Sequence, residues 1–489
     1  MRRLAVLLAA ATALVGSSPA SGAPTPPLGH EGRWITDDDG RVVILHGVNM
    51  VYKRPPYHPA AAGFDAPDVR FLARHGFNNV RLGLVYAGVE PRPGAYDRAY
   101  LRRVARTQEL LADHRIFSML DFHQDLYNER FTGEGWPDWA VLDQGLPSQP
   151  TTGFPATYLT SPGLNAAFDS FWANRAGPDG IGLQDHYASA WRRVALRFRR
   201  ESYVMGYDLM NEPWPGSAWP ACAVPLGCPG FEAGDLAAFH ARVIRSIREV
   251  DRRNLVWYEP VVTTNFGVSH HHPDTGDPRA GLSFHIYCIA GAAALPGVDP
   301  LACPTLEELA LENAIDRAGR NGDTLLLSEF GATADPAVIR RMVDLVDRHM
   351  ISWQWWHYCG CDDPTTQGPG ATQAIVADPA RAPRGNNLLG EKLKLIERPY
   401  PQAVAGTPLR YGFEPDARRF ELAYSTRSPS GERIRRRTPT EVYVPRIHYP
   451  DGYRVEVSGA RLVSTRDARV LKLRRTRGAR VVELAVRPR

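Results

Sequence analysis

Short apolar runs, each closed by a polar or aromatic residue, recur along the chain as far as His357. They are Val42–Val48 before Asn49, Asn79–Leu84 around Arg81, Ile116–Phe122 before His123 and Val204–Met210 before Asn211. Leu255–Tyr258 before Glu259, Gly281–Phe284 before His285, Thr324–Ser328 before Glu329 and Ile351–Trp356 before His357 complete the set. Runs this apolar read as parallel strands buried on both faces. Between several of them lie segments with apolar residues at helical spacing: Ala66–His75, Tyr100–Asp113, Asp235–Asp251, Thr305–Arg320 and Ala337–His349. Eight strands alternating with helices predict an α/β fold, a (β/α)8 TIM barrel. Its active face is the rim at the carboxyl ends of the strands, where the closing polar residues gather.

Long segments break the alternation after the third, fourth and sixth strands and are expected as loops over that rim. The first, from Asn128 to about Asp185, carries Trp136, Trp139 and Trp172. Those rings either stack on a ligand or fill the loop. Beyond Pro399 the pattern changes. Arg419–Tyr424, Glu441–Ile447, Tyr453–Val457, Val470–Leu473 and Val481–Val486 are rich in β-branched and aromatic residues and separated by Gly, Pro and Asp. They predict a small C-terminal β-sandwich over 401–489, with the barrel over 24–400.

Charge supports that division. Residues 401–489 hold 20 Lys+Arg against 9 Asp+Glu, net +11, while the rest of the chain is net −6. A basic module can contact anionic membrane or acidic glycans. Arg474-Arg475 has no aromatic platform beside it, so nucleic acid is not an expected partner. At the start, Arg2-Arg3, the apolar run Leu4–Val15 and the small residues Ser17–Ala23 read as a secretory signal peptide over 1–23, which predicts export. Six cysteines fit an oxidising destination. Cys222 and Cys228, Cys288 and Cys303, and Cys359 and Cys361 are near one another in sequence, and three local disulfides are expected. His270-His271-His272 falls in a Pro/Asp-rich stretch that reads as a loop. No metal or cofactor is expected.

The chemistry concentrates in two strand ends. Glu212 stands in Tyr207-Asp-Leu-Met-Asn-Glu-Pro-Trp214 and Glu329 in Leu325-Leu-Leu-Ser-Glu-Phe-Gly331. Two carboxylates at one rim are what glycoside hydrolysis requires: one protonates the leaving oxygen, the other attacks or activates water. The acid needs a raised pKa, obtained by burial beside a second carboxylate. Asn211 is placed to bond a sugar hydroxyl, Tyr287 to donate to Glu329, and Arg81 to hold Glu329 by charge. Glu259, in Tyr258-Glu-Pro260, is a third rim carboxylate that composition alone does not exclude.

Asn211-Glu212-Pro213, Ser328-Glu329-Phe330-Gly331, Arg81, His123, His285-x-Tyr287 and the tryptophan-rich eighth strand resemble glycoside hydrolase family five, in its retaining clan. The resemblance covers the whole barrel. It implies Glu212 as acid/base and Glu329 as nucleophile, and it demotes Glu259. A narrower set resembles the endoglycoceramidases: Gly47-Val-Asn-Met-Val-Tyr-Lys53 with Pro55-Pro56-Tyr57, Asp121-Phe-His-Gln-Asp-Leu-Tyr127, Asn211-Glu-Pro-Trp214 and Trp353-Gln-Trp-Trp-His-Tyr-Cys359. The appended sandwich is similar too. This implies a glycosphingolipid substrate, cut between glycan and ceramide. It also implies that Lys53, His123, Asp125, Asn211, His285, Tyr287 and one tryptophan hold the sugar next to ceramide. Trp356 is the tryptophan chosen, with Trp353 and Trp355 close in register. The rival expectations are galactose-linked specificity, a β-glucosylceramidase, a steryl glucosidase, a polysaccharide endoglycanase, and a non-catalytic binding protein, which would not need the second carboxylate.

Overall fold

Eight parallel strands close into a barrel: β1 (His46–Met50), β2 (Asn79–Val85), β3 (Phe117–His123), β4 (Val204–Asp208), β5 (Leu255–Tyr258), β6 (Ala280–Ile286), β7 (Thr324–Gly331) and β8 (Trp353–Trp356). The computed structural model describes residues 24–222, 227–287, 300–365 and 372–489. Residues 1–23, expected from the sequence to be a signal peptide, lie outside them, as do Cys288 and the stretches 223–226, 288–299 and 366–371. Closure is made by β8 on β1, with Trp353 beside His46 and Trp355 beside Val48. β1 lies so close to β2 that a Cβ on Gly47 would sit 2.5 Å from the Asn79 carbonyl oxygen. Only glycine fits there.

The helices around the barrel follow from amphipathic spacing and good caps. Arg98–Asp113 buries Leu101, Val104, Gln108 and Leu111 on one face, and the Asp97 side chain accepts from the Ala99 and Tyr100 N–H groups. Asp335 caps Pro336–His349 in the same way. Each cap satisfies donors that the first helical turn leaves unpaired.

Three expectations need correction. The run Val42–Val48 is not one strand. Val42–Val43 pairs antiparallel with Tyr400–Val404, and the chain enters the barrel only at His46. Both pieces are fully buried, so hydrophobicity stays high where the pairing partner changes. The segment 128–185 is not all loop, because Pro162–Trp172 is helical, started by the Ser161 side chain accepting from Leu164 N–H. A mostly apolar helix buried against other elements lacks the polar face that marks periodicity. The division at residue 400 is also crossed by a sheet. That sheet runs Gly29–Glu31, Trp34–Thr36, Val42–Val43, Tyr400–Val404, Thr440–Tyr443, Val470–Arg475 and Ala460–Leu462, so the N-terminal strands complete it. A second sheet orders Thr407–Glu414, Arg419–Ser425, Val481–Pro488 and Tyr453–Ser458. Phe413, Phe420, Leu471 and Val482 are among the side chains packed in their shared core.

The double-sheet module packs on the amino ends of the strands, away from the rim. The Tyr400 ring stacks on His46 at 3.6 Å, and its hydroxyl donates to the Gly76 carbonyl just before β2. Arg398 seals the junction: Nη1 donates to Asp347 at 2.7 Å and Nη2 to Asp344 at 2.5 Å. Burial pushes the Asp347 carboxyl up to about 6 against the opposing charge of Arg398. Removing one member of a buried pair strands the other. Arg398→Ala should therefore lower the unfolding free energy by about 3–5 kcal/mol. Denaturant titration checks this, and a loss of under about 1 kcal/mol, the range of exposed pairs, would contradict the junction's role.

Candidate active site

The rim is organised around a wholly buried Arg81 at the middle of β2. Its Nε donates to Asp208 at 2.9 Å, and Nη2 donates to Glu259 at 2.8 Å and to the Asn211 side-chain oxygen at 2.9 Å. Nη2 is also 3.1 Å from Asp121. Nη1 donates to Glu329 Oε1 and, at 3.3 Å, to the Asn49 side-chain oxygen. One guanidinium thus holds six groups from five other strands or their ends. Burial opposes its charge, but Asp121, Asp208, Glu329 and Glu259 outweigh that and hold it protonated.

Glu212 follows β4 in a turn that only an unusual backbone allows: its φ is 43°, in the left-handed region. For a residue with a Cβ this costs on the order of 1 kcal/mol and persists only where neighbours enforce it. Here they do. Glu212 N–H donates to Glu259 Oε2 at 2.8 Å, and Gln124 Nε2 donates to the carbonyls of Asn211 and Glu212 at 3.0 and 3.1 Å. The Glu212 carboxylate accepts on Oε1 from Asn265 Nδ2 at 2.7 Å and from His285 Nδ1 at 2.8 Å. Among the described residues, Oε2 takes no such donor. Burial opposes a charge on His285, but Glu259 and Glu329 outweigh it and raise its pKa well above the usual value. The imidazolium then donates from Nδ1 to Glu212, and its Nε2 lies 3.3 Å from Glu259 as an ion pair.

Glu329 lies near the carboxyl end of β7 and is held on both oxygens, Oε1 by Arg81 and Oε2 by the Tyr287 hydroxyl at 2.9 Å. Burial raises its pKa, and His285 and Arg81 oppose the rise. The upward push expected for an acid is therefore found on Glu329. Burial and the neighbouring Glu329 and Glu212 charges keep Tyr287 a donor. Single ligating atoms of Glu212, His285 and Glu329 all lie within 4.8 Å of one another, which brings a carboxylate oxygen of each Glu to that distance.

A second polar cluster adjoins the first through Asp121, which accepts from His123 Nδ1 at 2.8 Å. Lys53 is 4% exposed, not a surface lysine. Its Nζ donates to Asp125 at 2.5 Å and to Thr365 at 2.7 Å, and lies 3.3 Å from Asp363 and 4.0 Å from Glu134. Burial opposes its charge, and the three carboxylates outweigh that and keep it protonated. The same ammonium overcomes burial at Asp125 and holds that carboxyl well below the usual range. Burial works against charge on His123 too, yet Asp121 raises it to about 10. The Trp356 ring covers this cluster, 4.6 Å from Lys53 Nζ and stacked on His123 at 5.2 Å. Trp353 and Trp355 are wholly buried; Trp353 packs on His46 and Trp355 on Phe330. The structure thus brings every sequence-derived rim residue into one continuous site and separates Trp356 from its neighbours.

The positions open to a cation among these carboxylates are already filled by Lys53, Arg81 and His285, so the donor sets do not fit a metal. Cys222–Cys228 and Cys359–Cys361 are disulfides, and Cys303 is disulfide-bonded as well. The loop tryptophans fill their loop: Trp136 stacks on Tyr127 at 4.2 Å, and Trp172 donates to the Trp214 carbonyl. Trp139 donates to the Glu90 carbonyl. Asn265, Glu134 and Asp363 were missed from sequence; they lie in none of the motifs quoted above and reach the site only through the fold. Gln124 stands inside the Asp121–Tyr127 motif, but its bonds to the Asn211 and Glu212 carbonyls were not foreseen.

Residues 37–362 match the model for cellulase (glycosyl hydrolase family 5), and residues 398–486 match the glycoside hydrolase family 5 C-terminal domain. The chain is 34% identical to endoglycoceramidase I of Rhodococcus hoagii (strain 103S), over 92% of this chain and 86% of that one. Endo-glycoceramidase II from Rhodococcus sp., in complex with a five-membered iminocyclitol, superposes with a TM-score of 0.76 at 32% identity. The alignment covers 93% of this chain and 99% of that one. The same enzyme has been solved as a lactosyl-enzyme intermediate and with ganglioside GM3. An endogalactoceramidase superposes with a TM-score of 0.73 at 26% identity, over 94% and 99% of the two chains. The chain belongs to glycoside hydrolase family 5 and, within it, to the endoglycoceramidases.

Proposed function

We propose that this protein hydrolyses the β-glycosidic bond between the intact oligosaccharide and the ceramide of glycosphingolipids, with retention of configuration. The observation that carries the mechanism is the approach of the two carboxylates, which brings one oxygen of each within 4.8 Å of the other. Retaining glycosidases hold their carboxyl groups about 5 Å apart, whereas inverting enzymes leave about 6.5–9.5 Å for a water. Glu329 is the nucleophile. Arg81 and Tyr287 fix both its oxygens, so it attacks the anomeric carbon from one direction while Arg81 balances its charge. Glu212 is the acid and then the base. With Oε1 taken by Asn265 and His285, Oε2 carries the proton to the ceramide oxygen. In the second step the same oxygen draws a proton from water as it attacks the glycosyl ester. Lys53, His123, Asp125, Asn211 and Trp356 hold the sugar, four by polar atoms and one by its ring face. The ceramide specificity is supported by the similarity to enzymes of that name across most of both chains.

Mass spectrometry after incubation with a defined ganglioside, and separately with a galactosylceramide-based glycolipid, tests the reading. Intact oligosaccharide plus ceramide is expected. Free monosaccharide, or activity confined to polysaccharide or steryl glucosides, would overturn the lipid assignment and leave the two glutamates in place.

The two rim glutamates other than the nucleophile are separable. Glu212→Ala should lose activity by at least about 100-fold and regain part of it with azide, giving a glycosyl azide. Glu259→Gln should lose about 10–100-fold through misplacement of Glu212 and Arg81, with no azide rescue. Rescue of the second variant and not the first would reverse the assignment.

A further inference from the structure

We infer that Asn265 is a positioning residue for the acid–base carboxylate Glu212, and that Glu232 is the strut holding the turn that carries it. The inference rests on the proposed role of Glu212. Asn265 lies on a short 3-10 turn, Val262–Phe266, after β5, and is 5% exposed. Its amide donates to Glu212 Oε1 at 2.7 Å, on the same oxygen as His285. Two donors converging on one oxygen, one from this turn and one from β6, fix the carboxylate's rotation. They leave the other oxygen, Oε2, to meet the leaving group. With one donor removed, the carboxylate can turn about its terminal torsion, which has a broad, soft energy profile.

The turn has little regular structure of its own, so something must hold it. Glu232 does so from the start of the helix that follows β4. It is 0% exposed, and its two oxygens accept from opposite ends of the segment: Oε1 from Val261 N–H at 3.3 Å and Oε2 from His271 N–H at 2.6 Å. A third tie, Val262 N–H to the Pro213 carbonyl at 3.2 Å, fastens the turn to the residue after Glu212. Burying a carboxylate whose hydrogen-bond partners are backbone N–H groups is costly. Here it clamps both ends of the segment from which Asn265 reaches the acid.

The test separates acid positioning from general packing by the leaving group. An alkyl β-lactoside or a lactosyl lipid needs proton donation, whereas a dinitrophenyl β-lactoside departs without it. Asn265→Ala should lower kcat/KM on the first class about tenfold or more, and on the second by less than about twofold. Asn265→Leu keeps much of the shape but cannot donate, so it should show the same split. Glu232→Gln, which retains one acceptor, should show it more weakly. Glu212→Gln is the reference and should show the split most strongly. Equal losses on both substrates, or no loss on either, would overturn the role of Asn265 while Glu212 stands. Absence of the split in Glu212→Gln itself would instead remove the acid–base assignment on which the inference rests.

Discussion

Everything at this rim depends on placing one guanidinium where no water reaches it. Arg81 is wholly buried against Asp121, Asp208, Glu259 and Glu329. A buried cation is tolerated only if carboxylates surround it, and the carboxylates are tolerated only if it is present. The cluster therefore stands or falls as a unit, and it draws in the ends of β3, β4, β5 and β7. The guanidinium suits this task because its planar fork offers several donors in fixed directions. A lysine would carry the charge but could not hold so many partners at fixed angles.

That constraint divides the labour among residues of the same type. Five carboxylates crowd one rim, and their neighbours distinguish them. Asp121 and Asp208 lie deepest, on Arg81. Glu259 faces Arg81, His285 and the backbone N–H of Glu212, so it fixes the strained turn rather than reacting. Glu329 has a donor on each oxygen, and Glu212 has both donors on one. The second cluster repeats the logic with Lys53 as its cation and Trp356 as its lid. It gives a sugar a charged, prearranged surface beside the reacting carboxylates.

Much of this was legible in the sequence because buried parallel strands leave an unmistakable trace. The runs ending in Glu212 and Glu329 are mostly apolar, so their closing polar residues mark the rim. Lys53, Asp125 and His123 became legible through family resemblance, since nothing in a Pro-rich loop says that its lysine is buried. The division of Val42–Val48 between two sheets was not legible, because burial on both faces looks the same in either sheet. Asn265 was invisible for a different reason. It sits in a turn of ordinary composition, and its meaning comes from a contact with a residue 53 positions away. Among the three rim tryptophans, alternation along β8 put Trp353 and Trp355 into the packed interior, which only the strand register reveals.

The central claim is that Glu329 attacks the sugar. A 2-deoxy-2-fluoro lactoside with a good leaving group slows the second step more than the first and traps a glycosyl-enzyme, whose site peptide mapping then reads. The account predicts a one-to-one adduct on the peptide carrying Leu325-Leu-Leu-Ser-Glu-Phe-Gly331, with the label on Glu329. An adduct on Glu212 or Glu259, or turnover with inversion and no adduct, would contradict it.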